Sequence, residues 1–293
     1  MSHWRSAARR VAHWTVPPGF RDLLRPIATS GRLTAEERAI LEKNRALQNA
    51  HAGERCFILA TGPSIKTQDL KALQGETCIA VSNFFVHPDY DLIRPRYYCV
   101  APSHPPITED AWQMWMDEME AGTDNATMFF GMSDFDRNQR GGRFANRQTF
   151  FLRFGMDFRL LPDSGIDLCG PVPGPQSVPI MALMLAVYMG FNEIYLVGCD
   201  HDHLLHHDES RHFYSESQHA LVRAHYNEWS GSDFGLACRA HDVLWQQYKI
   251  LHSMARAKAI SIVNCTPGGM LDVFPRMPLE TVCRESKGGL DGD

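Results

Sequence analysis

The chain has 293 residues, 44% of them hydrophobic and 22% charged, with a formal net charge of −5. That length allows a substantial single core, whereas the acidic balance excludes a general nucleic-acid binder, which needs a basic field to collect phosphates. No stretch approaches the about 20 apolar residues of a membrane-spanning helix.

Residues 1–30 carry Trp4, Trp14 and Phe20 among Arg5, Arg9, Arg10, Arg21 and Arg25, broken by Pro17, Pro18 and Pro26. They lack the continuous apolar core of a secretion signal. Two readings stand: an arm that packs on the main domain or on a second copy in a homo-oligomer, or a basic aromatic segment touching an anionic membrane surface from the cytoplasmic side. Thr34 and Glu37 then make a capping box, and Ile40, Leu41 and Leu47 follow at helical spacing, so a helix is expected to end near 50–53. Residues 1–50 are thus an arm and helix, and 51–293 the main domain.

That domain opens on Cys56–Leu59, an apolar strand, followed by the turn Ala60-Thr61-Gly62-Pro63-Ser64 and a helix-like IKTQDLKAL. Gly62 allows close backbone approach and Pro63 suits a first helical turn, so the free N–H groups at such a start would face a phosphate or carboxylate. The turn is neither GxGxxG nor GxxxxGK[ST], and a plain strand-to-helix connection fits it as well. Thr77–Val81 is a second strand that ends at Ser82-Asn83, where an amide could read a base or sugar or simply cap a turn. Tyr97–Ala101 is a third, ending at Ser103 and His104. EDAWQMWMDEME reads as a helix with Trp112, Trp115, Met116 and Met119 on an apolar face, and Thr127–Phe130 as a strand. Residues 131–150, rich in Gly, Asn, Arg and Asp, read as a lid.

The clearest unit follows. A Gly/Pro-rich loop with Gly174, Gln176 and Ser177 leads into an almost wholly apolar helix, about Val178 to Met189, stopped by Gly190; the strand Glu193–Gly198 then ends at Cys199-Asp200. The loop is a second candidate anion cradle. Six histidines come next (His201, His203, His206, His207, His212, His219) with Asp202 and Asp208, in a segment, 200–235, read as a second lid. Metal ligation is one reading of these residues; polar side chains gathering past a strand end is the other. A helix from about Asp242 to Lys258 and a strand reaching Asn264 close the pattern. Of the eight cysteines, none makes a CxxC or other zinc spacing, and Cys56, Cys78, Cys99, Cys199 and Cys265 fall in or beside apolar runs, a pattern suited to a reducing cytoplasm. Repeated strand–helix units with polar residues past the strand ends predict an α/β, Rossmann-like, doubly wound and mostly parallel sheet with helices on both faces and one ligand cleft.

Gly62-Pro63-Ser64 after an apolar strand, Ser82-Asn83 at the next strand end, the pattern S…A…A.YMGF.EIYL.G.D, and His212-Phe213-Tyr214 downstream together resemble a bacterial superfamily that includes the sialyltransferase-like glycosyltransferases of surface polysaccharide synthesis. The pattern is also similar to the MptE-like family built around 6-hydroxymethylpterin diphosphokinase. The resemblance covers roughly residues 52 to 275. The sialyltransferase branch implies a nucleotide-sugar donor, CMP-linked, a glycan acceptor, and no cofactor. Thr61 stands where that branch carries Asn, which leaves the donor nucleotide open. The resemblance further implies a donor-binding Asn83, a loop serine at or next to Ser177, a phosphate-stabilising Tyr214, and a histidine base just before the last long helix, at His241. Asp200 joins Thr61, Gly62, Pro63, Ser64, Gly174 and Gln176 as an expected substrate contact. The MptE-like branch implies ATP and Mg2+, for which Asp200, Asp202 and His203 are the expected ligands. A non-catalytic nucleotide-binding partner is the reading from a third class.

Overall fold

The computed structural model describes residues 32–103, 107–123, 126–162, 165–206, 212–214 and 233–288. The arm at 1–30, His104, His207, Asp208 and His219 lie outside the described residues, as does most of the second expected lid. Among the described residues eight strands form one sheet: β1 (Arg55–Leu59), β2 (Cys78–Val81), β3 (Tyr97–Cys99), β4 (Thr127–Gly131), β5 (Thr149–Met156), β6 (Pro171–Pro173), β7 (Glu193–Val197) and β8 (Ser261–Asn264). Their order is β6-β5-β4-β3-β2-β1-β7-β8 and every pairing is parallel. The chain is a Rossmann-like α/β fold.

Among the described residues seven α-helices accompany the strands: α1 (Ala35–Glu42), α2 (Tyr90–Ile93), α3 (Glu109–Gly122), α4 (Phe135–Gly141), α5 (Val178–Met189), α6 (Phe234–Ala257) and α7 (Leu279–Gly288). Strand side chains alternate, so Cys56, Ile58, Ile194 and Leu196 join α5 and α6 in one core, while Phe57, Leu59, Tyr98 and Phe130 join α3 and α7 in the other. Helix α5 is buried on all sides from Pro179 to Met189, as a helix with no polar face must be. It ends because Gly190 adopts φ 85° and donates its N–H to the carbonyls of Ala186 and Val187, a left-handed cap that favours glycine.

This topology places the crevice. The chain steps outward from β1 to β6, and α5 then returns it to β7 on the far side of β1. Strand order reverses between β1 and β7, and open α/β sheets bind ligands outside the carboxyl ends of the strands at such a switch point.

Several elements differ from expectation. The helix expected to end near 50–53 is α-helical only to Glu42 and continues as a 3-10 turn over Lys43–Leu47. The segment after the Gly62-Pro63-Ser64 turn is not an α-helix but two 3-10 turns, Pro63–Thr67 and Leu70–Leu73. Its polar side chains bond locally instead: Thr67 Oγ1 donates to the Ser64 carbonyl at 2.8 Å and Asp69 accepts from the Lys71 N–H at 3.1 Å, the competition that disfavours α-helix. Residues 131–150, expected as a lid, carry regular structure. They form a 3-10 turn (Met132–Asp134), α4 and the start of β5, with Phe144 only 1% exposed. Strands β5 and β6 were not anticipated. Finally, α6 begins at Phe234, capped by the Asp233 carboxylate on the Leu236 N–H at 2.7 Å, so His241 lies inside the helix rather than ahead of it. By contrast, the Thr34–Glu37 capping box is present with both of its hydrogen bonds.

Candidate functional site

At the C-terminal ends of β1 and β7 the expected anion cradle is already filled by the protein itself. Ser64 donates its backbone N–H to Asp200 Oδ1 at 3.1 Å and its hydroxyl to Oδ2 at 2.7 Å. Gly62 donates its N–H to the Gly198 carbonyl at 2.9 Å, and a Cβ on Gly62 would overlap the Asp200 carboxylate and lie 2.5 Å from the Gly198 oxygen. The turn is therefore a clamp joining the two strands at the switch point. A ligand phosphate placed in it would meet a carboxylate, so Gly62, Pro63, Ser64 and Asp200 form the floor of the crevice.

Beside it stands a polar group built from β1, β2, α3 and the His212-Phe213-Tyr214 segment. The Phe213 N–H donates to the Thr61 carbonyl at 2.9 Å, Thr61 Oγ1 meets His212 Nδ1 at 3.1 Å, and the His212 ring stacks on Tyr214 at 4.8 Å. Thr61 thus holds the histidine that packs on Tyr214. Asn83 is held by two side chains. It is 4% exposed, its Oδ1 accepts from Trp115 Nε1 at 2.6 Å and its Nδ2 donates to the Tyr214 hydroxyl at 3.3 Å. Trp115 was legible only as part of an apolar stripe; its polar contact gave no sequence signal.

The third group lines α6. His241 is 8% exposed, and neither ring nitrogen has a hydrogen-bond partner. The ring stacks on Trp245 at 4.1 Å and meets His203 edge-on at 4.9 Å. Burial, then the neighbouring His203, pushes its pKa down to about 4, so it is neutral near pH 7. One turn further along, the buried Tyr248 hydroxyl meets His201 Nε2 at 2.8 Å. Ser177 is the N-cap residue of α5, yet its side chain makes no capping hydrogen bond. The loop before it is fixed by Gln247, which accepts from the Gln176 N–H at 2.8 Å and donates to the Gly174 carbonyl at 3.0 Å. Gly174 and Gln176 thus spend those backbone groups on α6 rather than on an anion, and Ser177 is the loop residue left at the helix start. Trp245, Tyr248, Gln247 and His201 had carried no expectation of a site role beyond the histidine cluster.

His201 is held down to a pKa of about 3, by burial first and then by His203 and His241. Its ordinary value is about 6.5. With both folded pKa values depressed, the unfolded chain binds more protons below pH 6.5, so stability is full above about 6.5 and is lost as the pH falls toward about 4 and then 3. His201→Asn should flatten that acid limb by up to about 1.4 kcal/mol per pH unit, since Asn accepts the left-handed φ of 48° at this position. Urea midpoints measured from pH 7.5 to 4 check this; parallel curves for the two proteins would refute it.

Asp200, Asp202 and His203 do not assemble as metal ligands: among the described residues no group of three or more His, Cys, Asp or Glu is placed to hold an ion. Among the described residues no helix is long and apolar enough to cross a membrane.

No protein-family model and no characterised protein sequence matches the chain. Two solved structures of the sialyltransferase CstII from Campylobacter jejuni are similar to it at 12% identity and a TM-score of 0.46. One, with the substrate analogue CMP-3FNeuAc, matches over 76% of this chain and 86% of that chain. The other, with cytidine-5'-monophosphate, matches over 77% and 85%.

Proposed function

We propose that this chain is a glycosyltransferase, its catalytic unit spanning 51–293, that moves a sialic-acid-like sugar from a CMP-linked donor to a hydroxyl of a glycan acceptor in surface polysaccharide or glycoconjugate synthesis. The reading rests on one observation above the rest: a histidine on the ligand-binding end of a parallel sheet, buried, neutral at pH 7, with no hydrogen-bond partner for either nitrogen. Leaving buried polar atoms unmatched costs about 1–3 kcal/mol each, and an acceptor hydroxyl would satisfy one of them.

In this mechanism the acceptor hydroxyl donates to His241. As the bond between sugar and phosphate breaks, the hydroxyl oxygen bonds to the sugar, its proton passes to the imidazole, and the electron pair leaves with the nucleoside monophosphate. The Tyr214 hydroxyl and the start of α5 at Ser177 offset charge on the departing phosphate, the helix dipole favouring an anion there. Asp200 and Ser64 keep β1 and β7 in register beneath the donor. Thr61, standing where relatives carry Asn, leaves the base to be identified by experiment.

Thermal unfolding in the presence of CMP, UDP, GDP and ATP, each with and without Mg2+, tests the reading. CMP at 100 times its dissociation constant should stabilise the fold by about 2.7 kcal/mol without Mg2+. Protection by ATP alone, and only with Mg2+, would refute the glycosyltransferase and favour the diphosphokinase. CMP protection with no turnover over a panel of glycan acceptors would favour the non-catalytic binding partner.

A further inference from the structure

A histidine base is commonly oriented by a hydrogen bond at its second ring nitrogen, as the carboxylate does in the Ser-His-Asp triad. His241 is 8% exposed, yet neither of its nitrogens has a hydrogen-bond partner. What holds the ring is its face. Trp245, one turn along α6 on the same side, stacks on it with ring centroids 4.1 Å apart and planes 26° from parallel. A ring held by its face keeps both nitrogen edges for other partners. The indole is fixed in turn: its Nε1 donates to Asp272 Oδ1 at 2.8 Å, and the ring of His201, bonded to Tyr248, crosses it at 73° with centroids 6.2 Å apart. Asp272 stands on a firm loop. Its neighbour Leu271 is fully buried, with a carbonyl that accepts from Asn264 Nδ2 at 3.0 Å and from Arg276 at 2.8 Å. The Met270 N–H before it donates to the Asp200 carbonyl at 2.8 Å.

We propose that Trp245, held by Asp272, is the positioning residue of His241: it aims the imidazole through its face and stabilises the imidazolium formed when the ring takes the acceptor proton. The inference rests on the glycosyltransferase reading for that proton transfer, and on geometry alone for the positioning. The face of an indole is the negative part of its quadrupole and attracts a cation, more strongly where water is excluded. The Asp272 carboxylate, accepting from the indole N–H, pushes electron density toward the ring and strengthens that attraction. A carboxylate bonded directly to His241 would stabilise the imidazolium too, but it would occupy a nitrogen. Because the ring is neutral before the transfer and charged after it, the indole binds the transition state more tightly than the ground state. Its contribution therefore falls on kcat rather than on KM.

Three variants of the full chain test this: Trp245→Leu, which keeps an apolar side chain but no aromatic face; Trp245→Phe, which keeps a smaller face and loses the N–H; and Asp272→Ala, at an exposed position. With isotopically labelled histidine rings, the carbon-bound protons of His241, identified by their loss in His241→Ala, report the ring's placement in nuclear magnetic resonance without any ligand. The indole face should hold them upfield of ordinary imidazole positions. They should return in Trp245→Leu and move part of the way in Asp272→Ala. In turnover of CMP-sialic acid, kcat should fall about tenfold in Trp245→Leu and about threefold in each of Trp245→Phe and Asp272→Ala, with KM for the donor little changed. Asp272→Ala should add nothing in the Trp245→Phe background, which has no N–H to hold. His241 signals unmoved in both Trp245→Leu and Asp272→Ala would overturn the positioning, as would a loss of kcat from Asp272→Ala that is equal with and without the indole N–H. Unchanged kcat in Trp245→Leu would overturn the stabilising role. Full activity of His241→Ala would overturn the premise instead, and the ligand-free signals tell that failure from a failure of positioning.

Discussion

His241→Ala is expected to lower kcat by about 10²–10⁴-fold, the range of a well-placed general base, while donor affinity changes by no more than about threefold. The asymmetry follows from position. His241 packs on Trp245 and His203, whereas the donor-side groups Thr61, Asn83 and Tyr214 hold one another through a separate set of contacts. Removing the imidazole therefore leaves the expected donor contacts intact. The pH dependence carries the same assignment. A histidine in water would give an acid limb near its ordinary pKa of about 6.5, but burial and the repulsion of His203 place this one at about 4. The acid limb of kcat/KM should lie well below 6.5 and vanish in His241→Ala. Single-turnover kinetics with the donor bound beforehand measures the chemical step directly. Full activity in that variant removes His241 from the mechanism.

The depth to which this was legible in the sequence varied with how far each feature depends on distant residues. Strand β7 and helix α5 were legible because their apolar runs and Gly190 report burial and termination locally. The start of α6 was written in the chain as Asp233, an N-cap, but Gly235 and the Arg239-Ala240-His241-Asp242 stretch obscured the helix until its apolar spacing became regular. Strand β6 is three residues that begin and end in proline, Pro171 and Pro173, at the sheet edge where proline is tolerated, and carries almost no pattern. Among the site residues, Asn83 and the Gly62-Pro63-Ser64 turn could be placed at strand ends. Their partners could not, because Asn83 is 32 residues from Trp115 and 131 from Tyr214, and Ser64 is 136 residues from Asp200. The same turn looked like a phosphate cradle for a sound reason: its donors do bind an anion. That anion is a side chain supplied by the neighbouring strand.

The clamp also gives the largest expected effect on stability. Gly62 has φ −65°, which any residue accepts, so its restriction is one of space alone. An added methyl would overlap the Asp200 carboxylate and approach the Gly198 carbonyl oxygen to 2.5 Å. Relief would require Asp200 to leave Ser64, or β1 and β7 to part at the point where their register is fixed by five paired residues from Arg55 with Glu193 to Leu59 with Val197. Gly62→Ala should therefore cost about 3–5 kcal/mol, in the exceptional range that combines strain with a broken buried network, and lower the melting temperature by on the order of 10 °C. Asp200→Ala separates the two contributions. It removes the carboxylate that the methyl strikes, but not the Gly198 carbonyl, which belongs to the backbone. In the Asp200→Ala background, Gly62→Ala should still destabilise, by about half as much as in the parent chain. A coupling of this size is within the range measured for residues in direct contact, and urea unfolding of the four proteins in the cycle would give it. If Gly62→Ala proves neutral in both backgrounds, β1 and β7 are not held together by this clamp.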